Sequence, residues 1–356
     1  MRILITGHTG FKGSWMKYLL KQAGHDVFGI SHEIRASSLY NKMGKLKNDS
    51  QKSIICDIRD KNGFSYHLTK IQPELIFHLA AQPYVGQASI FPEATIDVNL
   101  NGTINLLSAI ESLPSLKGVV VITSDKVYKS APTDIKFNED SALFGLEPYS
   151  ASKVMAELAI SAWRTIKSDS LPPIAVARAG NIVGGGDDGE LRLIPYINSC
   201  IQKDSKIFLR NPKFTRPWIY VLDVLNGYTI LAEHLMKSSS FARPWNFGPD
   251  MEDSLNVEGA TKIYLKARSK EHLEIIFKES HLYEQSFLSL DSSKAKTELG
   301  WNPVFSSQEA IIAAAKWETI INYSSNLESA MDQSIHDFQE AIKIKKSHIS
   351  NLLVGT

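Results

Sequence analysis

Residues 6–13 read Thr-Gly-His-Thr-Gly-Phe-Lys-Gly, and this stretch decides the fold of the chain. It follows an apolar run at 2–6, which predicts a buried strand, and precedes a helical pattern at 14–23. Glycines three residues apart allow a tight turn, a close approach of the backbone to a phosphate, and close packing of helix on strand. A glycine turn between strand and helix therefore predicts a Rossmann-type site for the pyrophosphate of a dinucleotide.

Apolar runs alternate with helical patterns through the first half of the chain. Such runs, separated by helices, indicate a parallel sheet that is covered on both faces. The predicted fold class is therefore α/β, a Rossmann-type doubly wound parallel sheet with a smaller C-terminal α+β substrate domain. The further predicted strands are 26–30, 53–56, 75–79, 118–123 and 174–179, and the later helices are about 94–112 and 149–167.

The expected domain boundaries follow from this alternation. Ligands of α/β proteins bind at the carboxyl ends of the strands, so a second domain placed there would close a cleft. The tail is expected to be either an oligomer contact or a solvated helix. The dinucleotide-binding domain is predicted at 1–185, with a return segment at about 217–248 whose residues 218–222 rejoin the sheet. The substrate domain is predicted at 186–216 and 249–322. The charged helical tail is predicted at 323–356.

Composition excludes several classes of protein. A net charge of +1 over 356 residues gives no bulk attraction to nucleic acid or to an anionic membrane. Cys56 and Cys200 are too few for a disulfide framework or a structural zinc site, and no metal site is predicted. The N-terminus lacks the layout of a signal peptide, and no apolar run is long enough to span a bilayer. We therefore expect a cytoplasmic protein.

Tyr149 and Lys153 are the candidate acid–base pair. Side chains four residues apart share one face of a helix, where an ammonium group can stabilise a phenolate near neutral pH. Ser124 follows the predicted strand 118–123 and could hold a substrate hydroxyl while Tyr149 removes its proton. The next residues, Asp125 and Lys126, are more than a simple redox reaction needs. An additional acid and lysine beside the reacting groups predict a second proton transfer. The alternative is that the two side chains form an ion pair with each other in the loop.

The identity of the dinucleotide is left open by the loop after the second strand. Residues 29–35 read Gly-Ile-Ser-His-Glu-Ile-Arg, with no acid directly at the strand end to hold the ribose hydroxyls of NAD. Arg35 could meet the 2′-phosphate of NADP or be a solvated charge. After the third strand, Asp57 and Ile58 are placed to touch an adenine, with an Asp57–Arg59 salt bridge as the alternative.

Several motifs resemble those of the CDP-glucose 4,6-dehydratases, which belong to the extended short-chain dehydrogenase/reductase superfamily. The likeness covers about residues 1–316. The wider nucleotide-sugar dehydratase family has Asp-Glu after the hydroxyl residue, whereas Asp125-Lys126 looks like the CDP-glucose branch. The matching stretches are 6–15, 78–83 (His-Leu-Ala-Ala-Gln-Pro), 123–126 (Thr-Ser-Asp-Lys), 149–153, 177–187, 210–212, 215–218 and 245–249.

The resemblance implies an internal redox cycle on a nucleotide sugar. Tyr149 would deprotonate the C4 hydroxyl as hydride passes to bound NAD⁺, and the 4-keto group would acidify C5–H. Asp125 and Lys126 would assist loss of water across C5 and C6, and the hydride would return to C6. Because NAD is regenerated in each turnover, it is expected to stay tightly bound, and the resemblance favours it over NADP.

The resemblance also assigns binding residues, with His8 and Lys12 beside the cofactor phosphates and Asn99 supporting the active-site backbone. Arg216 and Asn181 would hold the substrate diphosphate, a role for which a guanidinium group is well suited. The implied cofactor-binding residues are Gly7, Thr9, Gly10, Phe11, Lys12, Gly13, Asp57, Ile58, Leu79, Ala80, Ala81, Asn99, Tyr149 and Lys153. The implied substrate-binding residues are Gln82, Ser124, Asn181, Leu193, Ile194, Arg210 and Arg216.

The alternatives concern the substrate and the reaction. Tyr283 stands where the resembling family has histidine, which could change the preferred base or sugar. A nucleotide-sugar 4-epimerase needs the same turn, Tyr149 and Lys153 but neither Asp125 nor Lys126, whereas a regulator without activity would usually have lost the tyrosine or the lysine. The resemblance further implies deoxysugar biosynthesis for lipopolysaccharide O-antigen. It also implies a homodimer or homotetramer paired through the helix after Glu93 and the Tyr149 helix.

Overall fold

In the computed structural model, seven strands form one central sheet, and every neighbouring pair is parallel. The structure describes residues 1–44, 50–129, 135–167, 170–250, 254–278, 286–324, 326–345 and 347–354. The order β3-β2-β1-β4-β5-β6-β11 is that of a Rossmann sheet with one added strand. The strands are β1 (Arg2–Thr6), β2 (Asp26–Ser31), β3 (Ser53–Ile55), β4 (Leu75–His78), β5 (Gly118–Ile122), β6 (Ile174–Ala179) and β11 (Pro244–Phe247).

Helices cover both faces of this sheet, as the continuous apolar strands predicted. In β1, Ile3 and Ile5 join one hydrophobic core and Leu4 joins the other, because successive side chains point to opposite faces. Trp15 of helix α1 (Phe11–Gln22) lies in the first core, and Phe64 of helix α3 (Lys61–Ile71) lies in the second. The doubly wound α/β fold is therefore confirmed.

The helices follow the strands in chain order. They are α1 (Phe11–Gln22), α2 (Leu39–Lys42), α3 (Lys61–Ile71), α4 (Val85–Ile90), α5 (Pro92–Ile96), α6 (Gly102–Ile110), α7 (Pro148–Ile166), α8 (Leu193–Gln202), α9 (Val221–Lys237), α10 (Val257–Ala267), α11 (Ser293–Leu299), α12 (Ser307–Ser324) and α13 (Leu327–Lys345). No helix in the part of the chain that the structure describes is both long and apolar enough to cross a membrane.

The strand that rejoins the sheet is β11, and the prediction that residues 218–222 do so is wrong. Ile219–Tyr220 (β10) pairs instead with Ile182–Val183 (β7) in a separate two-stranded sheet, and α9 begins directly after it. Residues 218–222 are apolar because this strand end and helix start are buried. The remaining strands are β8 (Ile207–Arg210), paired with β13 (Ile275–Lys278), and β9 (Thr215–Arg216), paired with β12 (Leu255–Asn256).

The C-terminal segment packs against the chain's own Rossmann helices, so the prediction of a solvated helix is wrong. Met331 and Phe338 of α13 are buried in the first core, and Tyr18 of α1 donates a hydrogen bond to Asp332 at 2.5 Å. Beyond α13, the Leu352 amide donates to the buried Glu233 at 2.9 Å. Charge dominates the sequence of this helix, but an apolar stripe on one face is sufficient for docking.

Candidate active site

The glycine turn has the geometry that the sequence predicts. Gly7 has φ +74°, and a Cβ there would lie 2.8 Å from the amide nitrogen of Ala80. A Cβ on Gly13 would lie 2.1 Å from the carbonyl oxygen of Gly7, so helix α1 can approach β1 only without a side chain there. Gly10 precedes α1 and provides no side-chain cap. The first-turn N–H groups of α1 are therefore open to an anionic group.

Two side chains of this turn are structural. His8 hydrogen-bonds Ser53 at 2.6 Å and Ser31 at 2.9 Å, and burial lowers its pKa to about 3. It lies over Gly29, where a Cβ would come within 2.2 Å of the imidazole. The His8 side chain is thus a neutral, buried group, and its expected place beside the cofactor phosphates stays a prediction. The Thr9 hydroxyl donates to the carbonyl of Glu33 at 2.8 Å and ties the turn to the loop after β2.

The loop after β3 shows the salt bridge that the sequence left as an alternative. Asp57 pairs with Arg59 at 2.7 Å, and this partner lowers the pKa of its carboxyl. Ile58 is buried, and a Cβ on Gly102 would lie 2.3 Å from its Cδ1. A contact of this loop with adenine stays a prediction.

Asn99 fixes the loop after β4, as predicted. Its amide oxygen accepts from the Gln82 amide nitrogen at 2.8 Å, and its nitrogen donates to the Gln82 carbonyl at 3.1 Å and to Ser152 at 2.9 Å. Asn99 lies in a π-helical stretch, Asp97–Asn101, which interrupts the predicted continuous helix between α5 and α6. Such interruptions are frequent at functional sites.

This loop contains Leu79, Ala80 and Ala81, and Ala80 donates to Thr6 at 3.2 Å. The Gln82 side chain is used within the loop, where its nitrogen donates to Thr95 at 2.9 Å and to the Tyr84 carbonyl at 3.1 Å. The expected contact of Gln82 with substrate stays a prediction.

Tyr149, Lys153 and Ser124 lie together at the carboxyl end of β5, as predicted. Glu147 caps helix α7 by accepting from the Tyr149 amide at 2.7 Å, and the Lys153 ammonium donates to the Ile122 carbonyl at 3.4 Å. Burial raises the pKa of Tyr149 to about 12, against the opposing effect of a hydrogen bond with Ser124. Burial lowers the pKa of Lys153 to about 8, and Glu157 opposes this. Burial thus favours the protonated phenol in the free chain, and the role of Tyr149 as a base stays a prediction.

Asp125 is a buried acid with one free oxygen. Ser124 donates to one carboxyl oxygen at 3.0 Å, while the other has no hydrogen-bond partner among the described residues. Burial raises the pKa of Asp125, with Lys126 and Arg216 opposing. The alternative of a loop ion pair between Asp125 and Lys126 is not what the described chain shows. Burial therefore shifts Asp125 towards the protonated state, the direction that a proton donor requires.

Three cations converge near this acid. Burial lowers the pKa of Lys12 to about 7, and Lys153 and Arg192 lower it further, while Asp125 acts in the opposite direction. Arg192 pairs with Asp187 at 2.7 Å in the glycine-rich loop before α8. The sequence analysis missed Arg192, because only the fold brings it to Lys12. The cluster is arranged to attract an anionic ligand.

The loop after β2 is joined to the glycine-rich loop by Arg35. Its guanidinium pairs with Asp188 at 2.9 Å, and Ser37 donates to the same carboxylate at 2.8 Å. Arg35 therefore binds a carboxylate in the free chain, whereas the sequence left open a contact with a 2′-phosphate or a solvated charge.

The predicted substrate-binding residues differ in how deeply they are buried. Arg216 is buried, donates to the Thr215 carbonyl at 2.9 Å and lies close enough to Asp125 to affect its pKa. Arg210 is exposed at the end of β8, and Ile194 is buried in the first core. Leu193 is the first residue of α8. The Asn181 carbonyl accepts a hydrogen bond from the Ile219 amide at 3.0 Å. Tyr283 lies outside the described residues.

A buried polar network lies behind Lys153, and the sequence analysis did not assign it. Glu157 and Arg178 form an ion pair at 2.5 Å. Thr123 donates to Glu157 at 2.6 Å, and Arg178 donates to the Tyr128 hydroxyl at 2.8 Å. Tyr128 in turn donates to Asn246 at 2.6 Å. The spacing of Tyr149, Lys153 and Glu157 along α7 could have revealed Glu157, but its partners come from other strands.

The fold and this site define a class of nucleotide-sugar-modifying Rossmann proteins. The family model described as GDP-mannose 4,6 dehydratase matches residues 4–313. CDP-glucose 4,6-dehydratase of Salmonella typhimurium is 34% identical over 96% of this chain and 96% of that protein. The chain therefore belongs to the GDP-mannose 4,6-dehydratase family, which is an enzyme family.

Solved structures show the same fold. UDP-glucose 4-epimerase of Thermotoga maritima, solved with UDP-glucose, has a TM-score of 0.79 at 20% identity and covers 90% of this chain and 100% of its own. dTDP-glucose 4,6-dehydratase of Bacillus anthracis, in complex with NAD, has a TM-score of 0.77 at 20% identity and covers 92% of this chain and 99% of its own.

Proposed function

We propose that the protein is an NAD-dependent nucleotide-sugar 4,6-dehydratase that converts CDP-glucose to CDP-4-keto-6-deoxyglucose. One observation carries the proposal. Asp125 is buried beside Ser124 with a free carboxyl oxygen and a raised pKa, in the same site as Tyr149. Oxidation at C4 needs only Ser124, Tyr149 and Lys153, so a further acid with a raised pKa next to them supports a second step in which water leaves.

The turn between β1 and α1 fits a dinucleotide. The space that a Cβ would fill at Gly7 and Gly13, and the uncapped start of α1, suit a pyrophosphate. Arg35 is paired with Asp188, which favours NAD over NADP because a 2′-phosphate would need a free cation there. Thr9, Gly10, Phe11 and Lys12 line the same turn. Bound NAD⁺ would supply a hydride acceptor at C4 and a hydride donor at C6.

The residues of this chain would divide the proton transfers between them. Ser124 holds the C4 hydroxyl and Tyr149 accepts its proton, while Lys153 binds the ribose beside the nicotinamide. The ketone at C4 acidifies C5–H, and Lys126 would accept that proton as its free amine. Asp125 protonates the C6 oxygen as the C6–O bond breaks, so that water leaves and a C5–C6 double bond remains.

The choice of CDP-glucose rests on similarity. The Salmonella relative is named for CDP-glucose, and it spans nearly the whole of this chain. Arg216 and Asn181 would hold the diphosphate. Arg216 is supported by its burial near Asp125, because a guanidinium group can bind a diphosphate through two parallel hydrogen bonds.

The second candidate function is a nucleotide-sugar 4-epimerase. The Thermotoga structure with the same fold is an epimerase. An epimerase would use Tyr149, Lys153 and Ser124 but leave Asp125 without a task. The other roles, namely a homodimer or homotetramer, a cytoplasmic location and a supply of deoxysugar for O-antigen, stay predictions.

The test uses the purified full chain without added cofactor, mixed separately with CDP-glucose and with UDP, dTDP and GDP sugars. Mass spectrometry should find the loss of one water from CDP-glucose. With substrate deuterated at C4, the deuterium should appear at C6 of the product. Deuterium retained at C4 of an inverted sugar would favour the epimerase, and no product with any sugar, even after NAD⁺ is added, would reject both functions.

A further inference from the structure

Tyr228 is a buried tyrosine whose hydroxyl has no hydrogen-bond partner among the described residues. It lies on α9, and its side chain is 0% exposed. Its ring packs edge-on against Phe247 at 5.6 Å between centroids, and the Lys12 ammonium lies 5.6 Å from the ring centre. The ring is thus held by packing, whereas none of the described residues forms a hydrogen bond with its hydroxyl.

The Tyr228 hydroxyl shares its surroundings with the reacting groups of the site. Burial raises its pKa, and both Tyr149 and Asp125 are close enough to raise it further. These three side chains come from α9, α7 and the end of β5, and only the fold brings them together. The Tyr228 hydroxyl therefore stays protonated and can donate a hydrogen bond at any working pH.

Two unpartnered polar atoms occur at this one site. The second oxygen of Asp125 and the hydroxyl of Tyr228 are both buried, and neither has a hydrogen-bond partner in the described part of the chain. Buried polar atoms are nearly always hydrogen-bonded, because leaving them unpaired costs free energy. A pair of unsatisfied atoms that face one site indicates a ligand group that can bond both. A hydroxyl, which donates and accepts, is such a group.

We propose that Tyr228 and Asp125 hold the C6 hydroxyl of the sugar between them, so that Tyr228 is a further catalytic residue for the departure of water. This inference rests on the proposed dehydratase function. Ser124 and Tyr149 hold the C4 hydroxyl, and Asp125, the next residue after Ser124, faces the neighbouring substituent. Tyr228 donates to the C6 oxygen and aligns it with the acid.

The elimination of water needs one proton donor and one proton acceptor. Asp125 gives its proton to the C6 oxygen, the C6–O bond breaks, and water leaves. The electron pair of the C5–H bond becomes the C5–C6 double bond, and its proton goes to Lys126. Lys12, which lies over the Tyr228 ring, withdraws electron density from it and strengthens the hydroxyl as a donor.

The test compares Tyr228→Phe with Tyr264→Phe, which removes a buried hydroxyl that contacts Arg268 away from this site. Each variant is assayed with CDP-glucose and with its 6-deoxy-6-fluoro analogue, because fluoride departs with far less help from an acid. Tyr228→Phe should slow product formation from CDP-glucose by about tenfold to a hundredfold, as loss of one contact to a reacting group does.

The same variant should process the fluoro analogue at close to the wild-type rate, and Tyr264→Phe should match wild type on both substrates. In D₂O, Tyr228→Phe should accumulate a 4-keto sugar that has gained deuterium at C5. An equal loss on both substrates, or no loss on CDP-glucose, would overturn the inference. If the wild type forms no 4-keto-6-deoxy product, the proposed function itself has failed.

A second variant guards against loss of the fold. If Tyr228→Phe is unstable, 3-fluorotyrosine placed at position 228 keeps the ring and makes the hydroxyl a stronger donor. The rate with CDP-glucose should then equal or exceed that of wild type, while the fluoro analogue should be unaffected. A reduced rate on CDP-glucose with unchanged stability would contradict the assignment.

Discussion

Two buried polar clusters lie close together in this molecule, and they differ in one respect. In the support cluster, formed by Glu157, Arg178, Tyr128 and Asn246, the charged groups and the tyrosine hydroxyl are hydrogen-bonded to one another. In the reaction cluster of Asp125 and Tyr228, one carboxyl oxygen and the tyrosine hydroxyl are buried without a hydrogen-bond partner among the described residues. A satisfied buried network stabilises and positions the fold, whereas unsatisfied buried atoms await a ligand.

The two clusters meet at Lys153. This side chain lies on α7 between Tyr149 and Glu157, and the negative charge of Glu157 counters the effect of burial on its pKa. The support cluster therefore holds the lysine in its charged form for the reaction cluster. Substitutions in the reaction cluster should lower activity and leave stability unchanged, and those in the support cluster should lower stability first.

The largest effect is expected for Tyr149→Phe. Only one hydroxyl is lost, so the melting temperature should stay within a few degrees of wild type, while kcat should fall by roughly a thousandfold or more, because the base for C4 oxidation is gone. Product formation by mass spectrometry and thermal unfolding by circular dichroism measure the two quantities. Unchanged turnover would contradict the role of Tyr149.

Glu157→Gln should break the support cluster. It leaves Arg178 as a buried charge without its partner, which costs about 3–5 kcal/mol in the free energy of unfolding. Denaturant unfolding measures this loss. As a control, Glu111→Gln removes the exposed partner of Lys167 and should change stability by less than about 1 kcal/mol. Equal effects of the two variants would refute the distinction between paired groups in the core and at the surface.

The sharpest comparison is between two buried tyrosines. Tyr128→Phe removes a hydroxyl that bonds Arg178 and Asn246, and should cost about 1–3 kcal/mol of stability because both partners are left unsatisfied. Tyr228→Phe removes an unpaired hydroxyl and should leave stability unchanged or slightly higher. Denaturant unfolding of both variants under the same conditions measures the difference. If Tyr228→Phe were the less stable variant, the distinction between a paired and an unpaired hydroxyl would be wrong.

The smallest effect concerns Asp223, a buried carboxyl that accepts from the amides of Val304 and Phe305 at 2.5 and 3.0 Å. Burial raises its pKa from 3.8 to about 7. Since the folded state holds this proton more tightly than the unfolded state, its contribution to stability is fully present at low pH and is lost as pH rises towards about 7.

Asp223→Asn should flatten the dependence of stability on pH between about 4 and 7, the interval that its two pKa values define. Denaturant titrations at several pH values measure this slope. A variant with the same slope as wild type would show that Asp223 does not titrate in that range. This residue lies apart from both clusters, so activity at a fixed pH serves as the control and should change little.

Much of the fold was predictable from local patterns. The glycine turn at 6–13 and the buried strands can be recognised because backbone sterics and burial on both faces restrict residue types at each position. The pairs Tyr149–Lys153 and Ser124–Asp125 were predictable because they are close in sequence. The helix around Asn99 was predicted as continuous, since a π-helical stretch leaves no mark in apolar spacing.

By itself, the sequence determined the doubly wound sheet, the dinucleotide turn and the acid–base residues that lie within four positions of one another. Tertiary structure alone decided that residues 244–247 form the seventh strand, that the charged C-terminal helix docks on α1, and that Arg192 reaches Lys12. It also brought Tyr228 close enough to Asp125 to affect the tyrosine pKa. The reason is physical: patterns of a few residues encode contacts within an element, whereas the pairing, burial and pKa of distant side chains depend on how whole elements pack.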